Sequence, residues 1–145
     1  MKKKTLMKVF LALLPAMAVL LATTKDSVKV FDTTAGTVEN YSYFDILPVE
    51  NMQMLLPLAA LLAVAAFVLA VFHIVRGKKW SASGVMYTAC VSTCAAAVPN
   101  MLRREVMVMP NVLLPLLMAA AAVLAYIVRK NPEEKPAGER LKIRK

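Results

Sequence analysis

Residues 54–75 form an apolar run of 22 residues in which His73 is the only ionisable side chain. At about 1.5 Å rise per residue, roughly 20 residues of helix cross a hydrocarbon core of ~30 Å, so this run is long enough to span a bilayer. Three more apolar segments flank it. Residues 5–23 carry only Lys8, residues 84–102 are rich in small side chains, and residues 106–128 include Pro110, Asn111 and Pro115. The chain is 59% hydrophobic and 19% charged, against about 45 to 50% and about 25% in an ordinary soluble domain. The excess requires a non-aqueous surrounding. It excludes a disordered chain, and two Cys with one His argue against a disulfide scaffold or a structural zinc module.

The first segment has two readings. Lys2, Lys3, Lys4 and Lys8 ahead of a short apolar core also describe a secretory signal peptide, with Ala22, Thr23 and Thr24 as a mediocre small-residue cleavage site. Retention as an anchor is preferred to removal, and either one sends the next loop across the membrane. Pro15 is compatible with a lipid-embedded helix, where neighbouring groups satisfy the freed carbonyl.

The net charge of +9 is a matter of placement. Of 18 Lys and Arg, 14 fall in the N-terminus, the loop 76–83 and the tail after residue 128. The loops 24–53 and 103–105 hold Lys25, Lys29, Arg103 and Arg104 against Asp26, Asp32, Glu39, Asp45, Glu50 and Glu105. Short loops rich in Lys and Arg stay in the cytoplasm, which predicts both termini inside a cell membrane. The charge splits into +11 inside and −2 outside. A nucleic-acid partner loses its support, since no binding motif or aromatic interleaving accompanies the basic residues.

The outer loop 24–53 is predicted to fold locally. Residues 27–33 and 37–44 are rich in Val, Phe, Thr and Tyr, and Ala35-Gly36 supplies a turn between them, the pattern of a β-hairpin. An isolated hairpin is marginal in water and needs support from the helix ends or a partner. Tyr41, Tyr43 and Phe44 are suited to providing that support, since aromatic side chains favour the membrane interface. The sequon Asn40-Tyr41-Ser42 has meaning only in a glycosylating secretory pathway.

The stretch Tyr41-Ser42-Tyr43-Phe44-Asp45-Ile46-Leu47-Pro48, leading into an apolar segment with Pro57 near its start, resembles a group of uncharacterised small membrane proteins of Gram-positive bacteria. Those have four helices and a first outer loop ending in a Ser-Tyr-Phe-x-x-x-Pro stretch. A Gly- and aromatic-rich stretch tends to follow their proline; Val49, Glu50, Asn51 and Met52 follow it here. The resemblance implies the four-helix layout and no activity, cofactor or site.

Candidate chemistry is sparse. Cys90 and Cys94 stand four residues apart, on one helix face, where two thiols can ligate a soft ion such as Cu(I). Without a Cys-x-x-Cys spacing or an adjacent His, they read instead as small packing residues. Met52, Met54, Met107 and Met109 form two Met-x-Met pairs on the predicted outer side, with Met101 nearby. They offer the same soft-metal chemistry and the same plain alternative, apolar gap filling. His73 is expected at headgroup level beside Phe72 and Arg76, because no intramembrane acid partners it. Asp and Glu are missing from all four apolar cores, which weakens a proton-coupled exporter, and no His-Glu-x-x-His or Gly-x-Ser-x-Gly motif points to an enzyme. Arg103-Arg104-Glu105 reads as a tight outer turn or, with Asp45 and Glu50, as a recognition surface.

Small residues carry the packing expectation. Gly84, Thr88, Ser92 and Ala96 recur at four-residue spacing, with Ala89, Thr93 and Ala97 on the next stripe. Segment two has Ala59, Ala63, Ala66 and Ala70, and segment four has Ala119 to Ala122 and Ala125. Such stripes let helices approach closely in lipid, and they predict segment three as the central helix of a compact bundle, with Ser92 and Thr93 hydrogen-bonded between helices or back to a carbonyl. The sequence thus predicts an all-α membrane protein: a bundle of four transmembrane helices near 5–23, 54–75, 84–102 and 106–128, a small extracellular β-hairpin in 24–53, and a basic cytoplasmic tail 129–145 on anionic lipid headgroups or a protein partner. Without a cofactor or catalytic set, the expected role is a structural or accessory subunit, or a homo-oligomer. A holin-like pore-former and a copper-handling protein are the alternatives.

Overall fold

The computed structural model describes residues 3–32, 36–45, 54–77, 79–102 and 109–130. It contains the helices α1 (Lys3–Thr23), α2 (Leu55–Arg76), α3 (Lys79–Leu102) and α4 (Met109–Lys130), with two short strands, β1 (Val28–Asp32) and β2 (Thr37–Tyr41), between α1 and α2. All four helices are long and apolar enough to cross a membrane. α1 packs on α2 and α4, and α3 packs on the same two, so the helices close a ring. The most extensive interfaces are those of α3 with α2 and with α4. The expected central position of α3 is therefore replaced by a place in a four-membered ring.

Two clusters fill the interior. Ala18 and Ala22 of α1 meet Leu56 and Ala59 of α2, Ala95 and Ala96 of α3, and Leu114 and Met118 of α4 toward the strands. Toward the other end, Leu11, Ala70, Val85 and Ala125 form a smaller cluster with one residue from each helix. These groupings make successive helices antiparallel. The start of α1, the end of α4 and the α2–α3 turn consequently share one end of the bundle.

The side chains are distributed by size. The buried apolar residues of α2 are Leu56, Ala59, Ala60, Ala63, Ala66 and Ala70, while Leu58, Leu61, Val68, Val71, Ile74 and Val75 face outward. α1 buries Ala18 and Ala22 together with Leu11 and Pro15, and exposes Val9, Phe10, Leu13, Met17 and Leu20. Water would drive the larger residues inward; small residues inside and large ones outside is the arrangement that suits helices packing in lipid.

The α2–α3 connection is tighter than the sequence suggests. α3 begins at Lys79, five residues before the expected 84, and leaves only Gly77 and Lys78 between the helices. Gly77 adopts φ 60°, and its N–H bonds the His73 carbonyl at 2.8 Å, a left-handed helix terminus that glycine reaches without steric cost. Residues 80–83 are too polar to read as a span, yet Ser81 and Ala82 are buried against α2 and extend the helix. At the other interhelical link, residues 103–108 lie outside the described residues, so the expected start of helix four at 106 and the Arg103-Arg104-Glu105 turn are not placed.

β1 and β2 pair antiparallel in the register Val28 to Tyr41 through Asp32 to Thr37. Gly36 takes φ 65° at the start of β2. The pair is held to the helices through Tyr43: its side chain is fully buried and its N–H bonds the Ala22 carbonyl of α1 at 3.1 Å. Of Tyr41, Tyr43 and Phe44, the three aromatics suited to resting the hairpin on the helix ends, Tyr43 makes this contact with α1. Burial pushes its phenol above the ordinary tyrosine range. Phe44 alone of the three is exposed.

Candidate functional site

The polar side chains buried among the described residues mark the places where this fold departs from plain apolar packing. At the α2–α3 turn, His73 Nδ1 lies 2.9 Å from Ser81 Oγ, and both residues are buried. His73 lies in the last turn of α2, and the short turn brings Ser81 over it. On the outside of this pair, Phe72 and Trp80 hold ring centroids 5.6 Å apart, and the Arg76 guanidinium lies 4.7 Å from the Phe72 ring centre. An exposed Trp and an Arg over an aromatic face at one bundle end is the chemistry of a membrane–water boundary.

Across the middle of the bundle, the Ser92 hydroxyl donates to the Ala59 carbonyl of α2 at 2.8 Å. Thr93 and Thr88 instead bond back within α3, to Ala89 and Gly84 carbonyls, both at 2.8 Å. Of the Gly84, Thr88, Ser92 and Ala96 stripe, Ser92 and Ala96 are buried and the other two partly so. A Cβ on Gly84 would stand 3.0 Å from Leu69 Cδ1, so α2 and α3 approach closely there as well.

The thiols have a different place. Cys90 and Cys94 are both exposed on the outer surface of α3, near Tyr87 and Val91, which are also exposed. The expectation that they serve as packing residues within the chain is overturned, because the inward face of α3 is taken by Val85, Ala89, Ser92 and Ala96. Met54 precedes α2 and is exposed. Met52 and Met107 lie outside the described residues, and Met109 is placed only as the first residue of α4. The grouping of the four Met thus lies outside the described residues. Among the described residues, no three His, Cys, Asp or Glu side chains gather as a metal-holding group.

The end of α1 carries polar groups whose role the sequence did not reveal. Thr23 and Thr24 hydroxyls donate to the Leu20 and Leu21 carbonyls at 2.7 and 2.5 Å. Ser27, fully buried, brings its hydroxyl against the carbonyls of Leu21 and Thr24. Together with the Tyr43 N–H on Ala22, these groups satisfy carbonyls that a helix terminus leaves without partners. Ser, Thr and Tyr in a short segment after an apolar run were the available signal. Ser42 and Asp45 close the next turn, the Ser42 N–H bonding Asp45 Oδ2 at 2.6 Å.

No known protein family, curated protein or solved structure matches this chain.

Proposed function

We propose that the chain is an integral membrane protein with four crossings, retained α1, both termini in the cytoplasm and the strand pair outside, acting as a non-catalytic structural or accessory subunit. The observation that carries this reading is the size sorting of its side chains: the helical interior is mostly alanine, with Leu11, Leu56, Val85, Leu114 and Met118 as the larger apolar residues there, while most Leu and Val face outward. Orientation follows from the charges: the bundle end formed by the start of α1, the α2–α3 turn and the end of α4 holds Lys8, Arg76, Arg129 and Lys130, while the opposite end holds Lys25 with Asp26 and Asp45. Retention of α1 is supported by Leu11, Pro15, Ala18 and Ala22, which are fully buried, and by the capped carbonyls at the cleavage-site candidate. The accessory role is supported by the buried hydroxyls of Ser27 and Ser92, each engaged with backbone of the fold itself.

The test is a membrane fractionation followed by labelling. The protein should resist alkaline extraction. In a Cys90→Ala, Cys94→Ala background, Asn40→Cys should react with an impermeant maleimide from outside and Arg129→Cys should not. Chemical cross-linking in intact membranes should then yield one discrete higher-mass species that survives mild detergent. Dye leakage from vesicles carrying the purified protein would replace the accessory reading with a pore.

A further inference from the structure

Between the first half of α1 and the last half of α4 runs an open groove of about 520 Å³, lined only by apolar side chains that include Leu6, Phe10 and Leu14 of α1 and Ala120, Val123 and Ile127 of α4. Its volume is that of a small-molecule site, which is typically ~300 to 1,000 Å³. Along α1 the lining spans residues 6 to 14, about 12 Å of helix, which is close to one leaflet of a ~30 Å hydrocarbon core.

Both walls end on a basic position. Lys130 follows Ala120, Val123 and Ile127 on the same stripe of α4, and Lys3 precedes Leu6, Phe10 and Leu14 at the matching register of α1. Lys130 is exposed, and Arg129 stands beside it in the last turn. The first turn of α1 also presents backbone N–H groups toward this end, which favour an anion. The carboxylates of the described residues are Asp26, Asp32, Glu39 and Asp45, all in the segment between α1 and α2.

We propose that this groove is a lipid site that takes one acyl chain of an anionic phospholipid, with the phosphate held at the basic ends of α1 and α4. The proposal rests on the membrane reading above and adds a ligand of defined charge at a defined seam. A lipid chain fills an apolar channel one leaflet deep, and the paired basic ends select the headgroup.

The full chain, reconstituted in equal parts phosphatidylglycerol and phosphatidylcholine and released into mild detergent, is examined by native mass spectrometry. Phosphatidylglycerol should be retained preferentially, and Lys3→Gln and Lys130→Gln should each lower that preference roughly fivefold. Val123→Trp, which fills the groove, should reduce retention of both lipids. Val68→Trp, on the outward face of α2, should leave it unchanged and controls for folding. Equal retention of the two lipids, or lysine variants that behave as the parent, would overturn the proposal. So would a Val123→Cys variant that cross-links to a second copy in place of holding lipid. Alkaline extraction separates the two readings: a protein that stays in the membrane without this preference overturns the lipid site alone, and one that leaves it overturns both.

Discussion

The Ser92 hydroxyl of α3 donates to the Ala59 carbonyl of α2 at 2.8 Å, and both residues are fully buried. A side-chain hydrogen bond to a helical carbonyl requires the two backbones to lie close, and the missing side-chain bulk of Ala59, Ala63 and Ala89 allows it. Growth at this point therefore separates the helices. Ser92→Leu should lower stability by about 1 to 3 kcal/mol through overpacking, whereas Ser92→Ala should cost only about 0.6 kcal/mol for the interhelical bond. Leu61→Ala, at an outward position 59% exposed, should do less harm than Ser92→Leu. Thermal melts of the three variants in one detergent rank them, and equal midpoints for Ser92→Leu and Leu61→Ala would refute the packing argument.

Gly77 controls the α2–α3 turn through its backbone. A Cβ there meets no atom within 4 Å, so space is not the constraint; the φ of 60° is. Gly77→Ala should cost about 1 to 2 kcal/mol, the penalty of a left-handed conformation for an L-residue. Gly77→Asn should cost less, since asparagine tolerates that region. Melting midpoints of the two variants test the order, and Asn as damaging as Ala would contradict it.

Docking of the strand pair should depend on pH through Tyr43. Its phenol is raised by burial, so the folded state prefers the neutral form. The stabilisation is complete below the unfolded tyrosine pKa of about 10 and is lost progressively as pH rises above it. Protection factors of residues 28–32 and 37–41, which remove the intrinsic base catalysis of exchange, should therefore fall at alkaline pH in the parent. A Tyr43→Phe variant should show a weaker dependence over the same range, and an identical profile in the two proteins would remove Tyr43 as the cause.

Cys90 and Cys94 report on what surrounds α3. In intact vesicles a charged impermeant maleimide should label neither thiol, and both should react once the protein is unfolded in SDS, because they lie near the midpoint of an apolar helix and face outward, where no thiolate forms. Labelling by the charged reagent would place water where the bilayer is expected.

The helices were legible in residues such as Ala59, Ala63, Ala66 and Ala70, whose spacing marks a packed stripe on an otherwise apolar run. The same logic failed at the ends and on α3. Trp80, Ser81 and Ala82 do not read as a span, and only the contacts of Ser81 with His73 and of Trp80 with Phe72 explain why the helix starts so early. On α3 the four-residue stripe placed Ser92 inward, as observed, but small residues occur on every face, so periodicity did not reveal that Cys90 and Cys94 point outward. Tyr43 was legible as one of three aromatics suited to resting the hairpin on the helix ends; which of the three is buried depends on a long-range contact with the end of α1 that local pattern does not encode. No catalytic constellation was expected from sequence, and the strongest candidate site, the groove at Leu6 and Val123, joins two segments more than 100 residues apart.

That separation has a consequence for biogenesis. Three of the four walls of the ring join helices that are consecutive in the chain, so each can form as soon as its second member leaves the ribosome. The wall between α1 and α4 joins the first helix made to the last, and the nascent protein passes most of its synthesis with that flank unzipped. Whatever first occupies the open flank of α1, a lipid or an insertion factor, must be partly displaced when α4 arrives, and the timing of that exchange is a step at which assembly of this protein can be held or released.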